Sequence, residues 1–123
     1  MLIDIGTGKE INFIPFKKET FDPCIKRLSQ SELDEIKSAI NKHINDSGTE
    51  VQPAGWIPGN DWTNTSYGPI YSIACKQNQQ LSAKLFGILV WVTIMERDDK
   101  WSSGKGYEAK GVPIESRVYF RVD

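Results

Sequence analysis

The chain has 123 residues, 39% of them apolar and 25% charged, and its 15 Lys and Arg against 16 Asp and Glu leave a net charge of −1. That length suits one globular domain over residues 1–123, and that composition is wrong for disorder. The balanced charge argues against broad electrostatic binding to nucleic acid or acidic membranes, and the longest apolar stretch, residues 85–95, falls short of the roughly 20 residues that a membrane span needs.

The chain opens on a hairpin pattern. Leu2-Ile3-Asp4-Ile5 and Glu10-Ile11-Asn12-Phe13-Ile14 both alternate, with Gly6-Thr7-Gly8-Lys9 as turn residues between them and Pro15 ending the second strand. The Gly-Thr-Gly-Lys tetrapeptide lacks the spacing of a phosphate-binding loop, and a strand follows it instead of a helix. Asp4 and the absence of a long apolar run also separate this start from a secretory signal, so the expected location is the cytoplasm. Residues 15–29, with Pro23 inside, read as irregular.

A helix follows. Ser29 or Ser31 can cap it, Glu32, Asp34 and Glu35 suit the positive end of its dipole, and Leu33, Ile36, Ile40, His43 and Ile44 share one face up to a stop at Gly48. His43 is the only histidine of the chain, and its place on the apolar side reads as structural.

Residues 47–68 show no periodicity. They hold four glycines and two prolines together with Trp56, Trp62 and Tyr67, and the aromatic content predicts a loop packed down onto the domain. Pro69 opens a short helix over 69–76 with Ile70, Ile73 and Ala74 inward. Asn78 can cap a second helix that runs to about residue 96. A buried strand over 88–96 is the rival, favoured by β-branched residues; length and the cap favour the helix. After Trp101 the chain is polar and glycine-rich, with Gly111 able to turn it back on Tyr107-Glu108. From Pro113 it alternates, which predicts a strand with Ile114, Ser116, Val118, Phe120 and Val122 on the buried face and Glu115, Arg117, Tyr119 and Arg121 on the solvated one.

Strands at both ends and helices between them predict an α+β fold: a small antiparallel sheet, built from the N-terminal hairpin and the C-terminal strand, packed against about three central helices.

The candidate sites are few. Cys24 and Cys75 form no CxxC pair and read as buried small hydrophobes, although Lys26 and Arg27 could activate Cys24. Glu96, Asp98 and Asp99 lack the spacing of a calcium loop, and no metal-ligand set or cofactor motif stands out. The loop over 55–68 is the one unusual region. Trp56, Asn60, Asp61, Trp62 and Tyr67 pair flat rings with short polar groups, a combination suited to a protein interface or to a pocket for a polar ring. Packing of the same tryptophans into the core is the structural alternative. The leading functional expectation is a non-enzymatic protein-interaction module, of the inhibitor, immunity or accessory kind, using that loop. A small enzyme or ligand-binding domain around Asp61, with His43 and Tyr67, comes second. A nucleic-acid face made from Lys9, Lys17, Lys18, Lys26 and Arg27 comes third.

Overall fold

A computed structural model describes residues 1–14, 18–57, 61–63, 65–103 and 114–122, apart from the side chains of residues 18, 54 and 115. The expected turn at Gly111, Tyr107 and Glu108, the strand end at Pro15 and the strand start at Pro113 lie outside the described residues.

The fold is α+β: three helices of nine or more residues and a small three-stranded antiparallel sheet. The first helix, α1 (Lys18–Lys26), occupies part of the stretch that reads as irregular, and it carries Pro23 inside. A proline there forfeits one hydrogen bond to the preceding turn. Burial outweighs that loss. Phe21, Cys24 and Leu28 recur at three and four residues and all enter the core, so the apolar stripe selects the helix that Pro23 disfavours.

Helix α2 (Gln30–Ser47) starts where its cap requires. The Ser29 hydroxyl accepts from the Glu32 amide at 3.0 Å, and the Glu32 carboxylate accepts from the Ser29 amide at 2.8 Å. Ile36, Ile40 and Ile44 lie one turn apart and are fully buried. Gly48 ends the helix at φ +79°, a conformation that L side chains rarely adopt.

The long aperiodic segment contains a strand. Here β1 (Glu50–Val51) pairs antiparallel with β3 (Tyr119–Arg121), which pairs on its other side with β2 (Trp101–Ser103), so the sheet order is β1-β3-β2. The N-terminal segment joins this sheet through single bridges: Leu2 runs parallel beside Trp101, and Ile3 faces Glu10 across the turn.

The last strand is shorter than its alternation predicts, and Tyr119 departs from the expected phase while Arg121 keeps to it. Residues Ile114–Ser116 form a 3-10 turn. Tyr119, expected on the solvated face, is 1% exposed, while Phe120 is only half-buried and Arg121 is exposed. The turn breaks the period of two, so the inward positions of the strand cannot be read back to Ile114. The large ring then takes the position over the last long helix, with its centroid 6.4 Å from that of Trp91.

Pro69 leads into a π-helical turn, Ile70–Ala74, closed by a bond from the Cys75 amide to the Ile70 carbonyl at 3.0 Å. Ile70 and Ala74 are buried as predicted. Ile73 is not: it is 40% exposed, because the wider π turn swings that position away from the core.

The rival readings of 88–96 resolve in favour of the helix. Helix α3 (Gln79–Glu96) is capped by the Asn78 side chain, which accepts from the Leu81 amide at 3.0 Å. It is buried almost continuously from Leu85 to Ile94. The hydroxyls inside it need partners and find them one turn back: Ser82 donates to the Asn78 carbonyl and Thr93 to the Leu89 carbonyl, each at 2.7 Å. Helix α2, the π turn and the 114–116 turn close around it, Tyr119 of β3 meets its Trp91, and one core cluster runs from Leu2 to Tyr119. Among the described residues, no helix is long and apolar enough to cross a membrane.

Candidate functional site

Five side chains of the aromatic loop are the sequence-derived candidates, and the structure separates them. Trp62 and Tyr67 are buried core residues. Both rings pack on Phe86 of α3, Tyr67 at 4.8 Å between centroids and Trp62 edge-on at 6.2 Å, and Trp62 also stacks on Tyr71 at 6.2 Å. Thr65 fastens the turn between them: its hydroxyl donates to the Trp62 carbonyl at 2.9 Å and accepts from the Tyr67 amide at 3.2 Å. Gly68 lies so close that a Cβ there would come within 3.2 Å of the Trp62 carbonyl oxygen.

Trp56 is half-buried. Its amide closes the 3-10 turn Pro53–Gly55 by donating to the Pro53 carbonyl, and its indole meets Phe86 edge-on at 6.1 Å. Asp61 is exposed. Its carboxylate accepts from both the amide and the hydroxyl of Thr63, and those hydrogen bonds, the hydroxyl's first, hold its carboxyl below the usual carboxylate range. Asn60 lies outside the described residues.

The other titratable candidates divide by burial. His43 stacks on Trp56, and desolvation lowers its pKa, against the opposing pull of Asp46. Cys24 and Cys75 are both buried, and burial pushes the Cys75 thiol up to about 11, far from the thiolate that reactivity requires. Of the basic side chains, Arg27 is drawn onto the Ala74 carbonyl at 2.8 Å, and Lys17 and the Lys18 side chain lie outside the described residues.

The acidic run after α3 has a structural task. Asp99 takes Arg97 in a two-pronged ion pair at 2.8 Å, and this guanidinium holds its carboxyl below the ordinary range. Arg97 also donates to the side-chain oxygens of Asn41 at 2.8 Å and Asn45 at 2.9 Å, and Lys37 pairs with Glu96 at 2.9 Å. These residues line an open groove of about 500 Å³ between α2 and the end of α3. Its main cation is already saturated. Among the described residues, no group of three or more His, Cys, Asp and Glu is placed to hold a metal ion.

Sequence reasoning passed over a second region. Phe13, Ile5 and Ile14 are 63%, 51% and 37% exposed, so three large apolar side chains stand in solvent within the first fourteen residues. The Trp91 indole N–H anchors this segment by donating to the Phe13 carbonyl at 3.0 Å. Beside it lies a cleft of about 130 Å³, walled by Ile3, Ile5, Ile11, Trp91 and Arg117 among others. The only sequence signal was the alternation of the N-terminal strands, which placed apolar residues there without saying which of them lack a partner.

No family model matches the chain, and the search of curated proteins and that of solved structures each returned no match. What the chain does therefore rests on its own geometry.

Proposed function

We propose that this chain is a non-enzymatic protein-interaction module whose contact face is its N-terminal segment. One observation carries the reading. Ile5, Phe13 and Ile14 stand exposed in a segment that Trp91 anchors through the Phe13 carbonyl. Large apolar side chains gathered on a surface are the usual mark of a protein contact. The aromatic loop supports that face indirectly, since Trp62 and Tyr67 are committed to the core and leave only Trp56 half-open. Asp61 does not favour a catalytic reading, because its carboxylate is open to solvent and already satisfied by Thr63. The expected setting is the cytoplasm, and the expected partner is another protein.

The test is an affinity capture with wild type, an Ile5→Ser, Phe13→Ser double variant and Trp56→Ala, each checked for folding by circular dichroism. A protein held by wild type and by Trp56→Ala, and lost with the folded double variant, is the expected result. Capture that ignores the double variant, or no specific capture, overturns the proposal.

A further inference from the structure

We propose that the cleft between Trp91 and Arg117 binds a small monocarboxylate with a short apolar tail. The argument rests on the contrast between two arginines. Arg97 has every prong engaged, on Asp99, Asn41 and Asn45. Arg117 does not. Its Nε is buried with no hydrogen-bond partner among the described residues, and Nη1 reaches only the Ser103 hydroxyl, at a long 3.5 Å. Among the described residues no carboxylate forms an ion pair with it. A guanidinium stays charged under all ordinary conditions, and a buried N–H without a partner is costly. A carboxylate in the cleft answers the unpaired charge through the terminal nitrogens of the guanidinium, while Nε, which has almost no accessible surface, stays out of its reach.

The surroundings narrow the ligand. Arg117 lies over the Trp91 ring, 5.2 Å from its centroid, a cation–π contact that holds the guanidinium beside the cleft. Ile3, Ile5 and Ile11 make the opposing walls apolar, and Ser103 adds a hydroxyl. The cleft is small, about 130 Å³, which suits a carboxylate with a short tail better than a sugar or nucleotide. Asp4 also lines the cleft, with its carboxylate held by the Gly6 amide at 2.8 Å. Its negative charge works against any anion, and against a dianion such as phosphate most, which leaves the singly charged acid as the better fit. A free short-chain acid and the C-terminal residue of a peptide share this chemistry. The cleft lies within the apolar face, but its occupancy does not depend on a protein partner.

The experiment follows the Trp91 indole N–H resonance of ¹⁵N-labelled protein, assigned with Trp91→Phe, at constant ionic strength. Sodium propionate should move it saturably, and propionamide, the neutral isostere, should not. Arg117→Gln should weaken the propionate response about tenfold or more, the scale of a lost charge-assisted hydrogen bond. Comparing N-acetylalanine with propionate separates the sources: tighter binding of the former assigns a peptide terminus, and the reverse assigns the free acid. The proposal is overturned if propionamide acts like propionate, if no carboxylate saturates, or if folded Arg117→Gln binds as wild type does. Should Arg117→Gln fail to fold, the comparison of acid with amide on the wild-type chain decides alone.

Discussion

The imidazole of His43 lies flat on the indole of Trp56, with 4.5 Å between ring centroids and 17° between planes. The contact joins the end of α2 to the aromatic loop. It also makes the loop sensitive to acid. Desolvation lowers the His43 pKa, so the folded state holds the ring neutral at a pH where the unfolded chain takes up a proton.

The sign follows from proton counting. The unfolded chain binds more protons than the folded one below the ordinary histidine pKa of about 6.5, so stability is full above that value and falls as pH drops through it toward the lowered folded value. The melting temperature should therefore decline between about pH 7.5 and pH 5.5. Asp61 and Asp99, also lowered, lose their contributions only further down, near and below the ordinary carboxylate pKa of about 3.9. A His43→Gln variant should melt with a shallower slope over the upper window, the remainder coming from the Met1 α-amino group, whose pKa burial also lowers. An unchanged slope in that variant would place the titrating group elsewhere.

The two loop tryptophans should differ sharply in stability. Trp62 is buried against Phe86 and Tyr71, so Trp62→Ala should cost about 3–5 kcal/mol, the range for emptying a large aromatic site. Trp56 is half-buried, and Trp56→Ala should cost no more than about 2 kcal/mol. Urea denaturation measures both. Equal losses would mean that the loop does not rest on Trp62.

Tyr67 offers a change in the opposite direction. Its hydroxyl is buried without a hydrogen-bond partner among the described residues, and burial raises its pKa above the usual phenol range. Removing a polar group that is desolvated and unpaired relieves a cost. Tyr67→Phe should leave stability unchanged or raise it by up to about 2 kcal/mol. A clear loss in the same urea titration would show that the hydroxyl is satisfied after all.

Arg97 ties α2 to the end of α3 through Asn41, Asn45 and Asp99. Arg97→Gln should cost about 2 kcal/mol, since three acceptors lose a charged donor at a partly buried position. Asn45→Ala, at the exposed end of the network, should cost well under half of that. If the two variants melt alike, the network contributes little to stability.

Local chemistry alone determined the two long helices. The capping pair Ser29 and Glu32, the isoleucines at Ile36, Ile40 and Ile44, and the Asn78 cap are all signals within one or two helical turns. The α+β class followed from the order of those patterns along the chain. The remaining features depend on long-range contacts, which carry no local signature. Pro23 argues against α1 until Phe21, Cys24 and Leu28 find the core. The wider π turn exposes Ile73, and a 3-10 turn at 114–116 interrupts the alternation that put Tyr119 in solvent. Trp62 and Tyr67 carry the side chains of an interface, and only Phe86, some twenty residues along the chain, assigns them to the interior. Arg117 and Trp91 become a pair solely because the 114–116 turn, next to Arg117, packs on α3. A sequence records which groups a chain carries, and burial and pairing are properties of the surfaces that folding brings together.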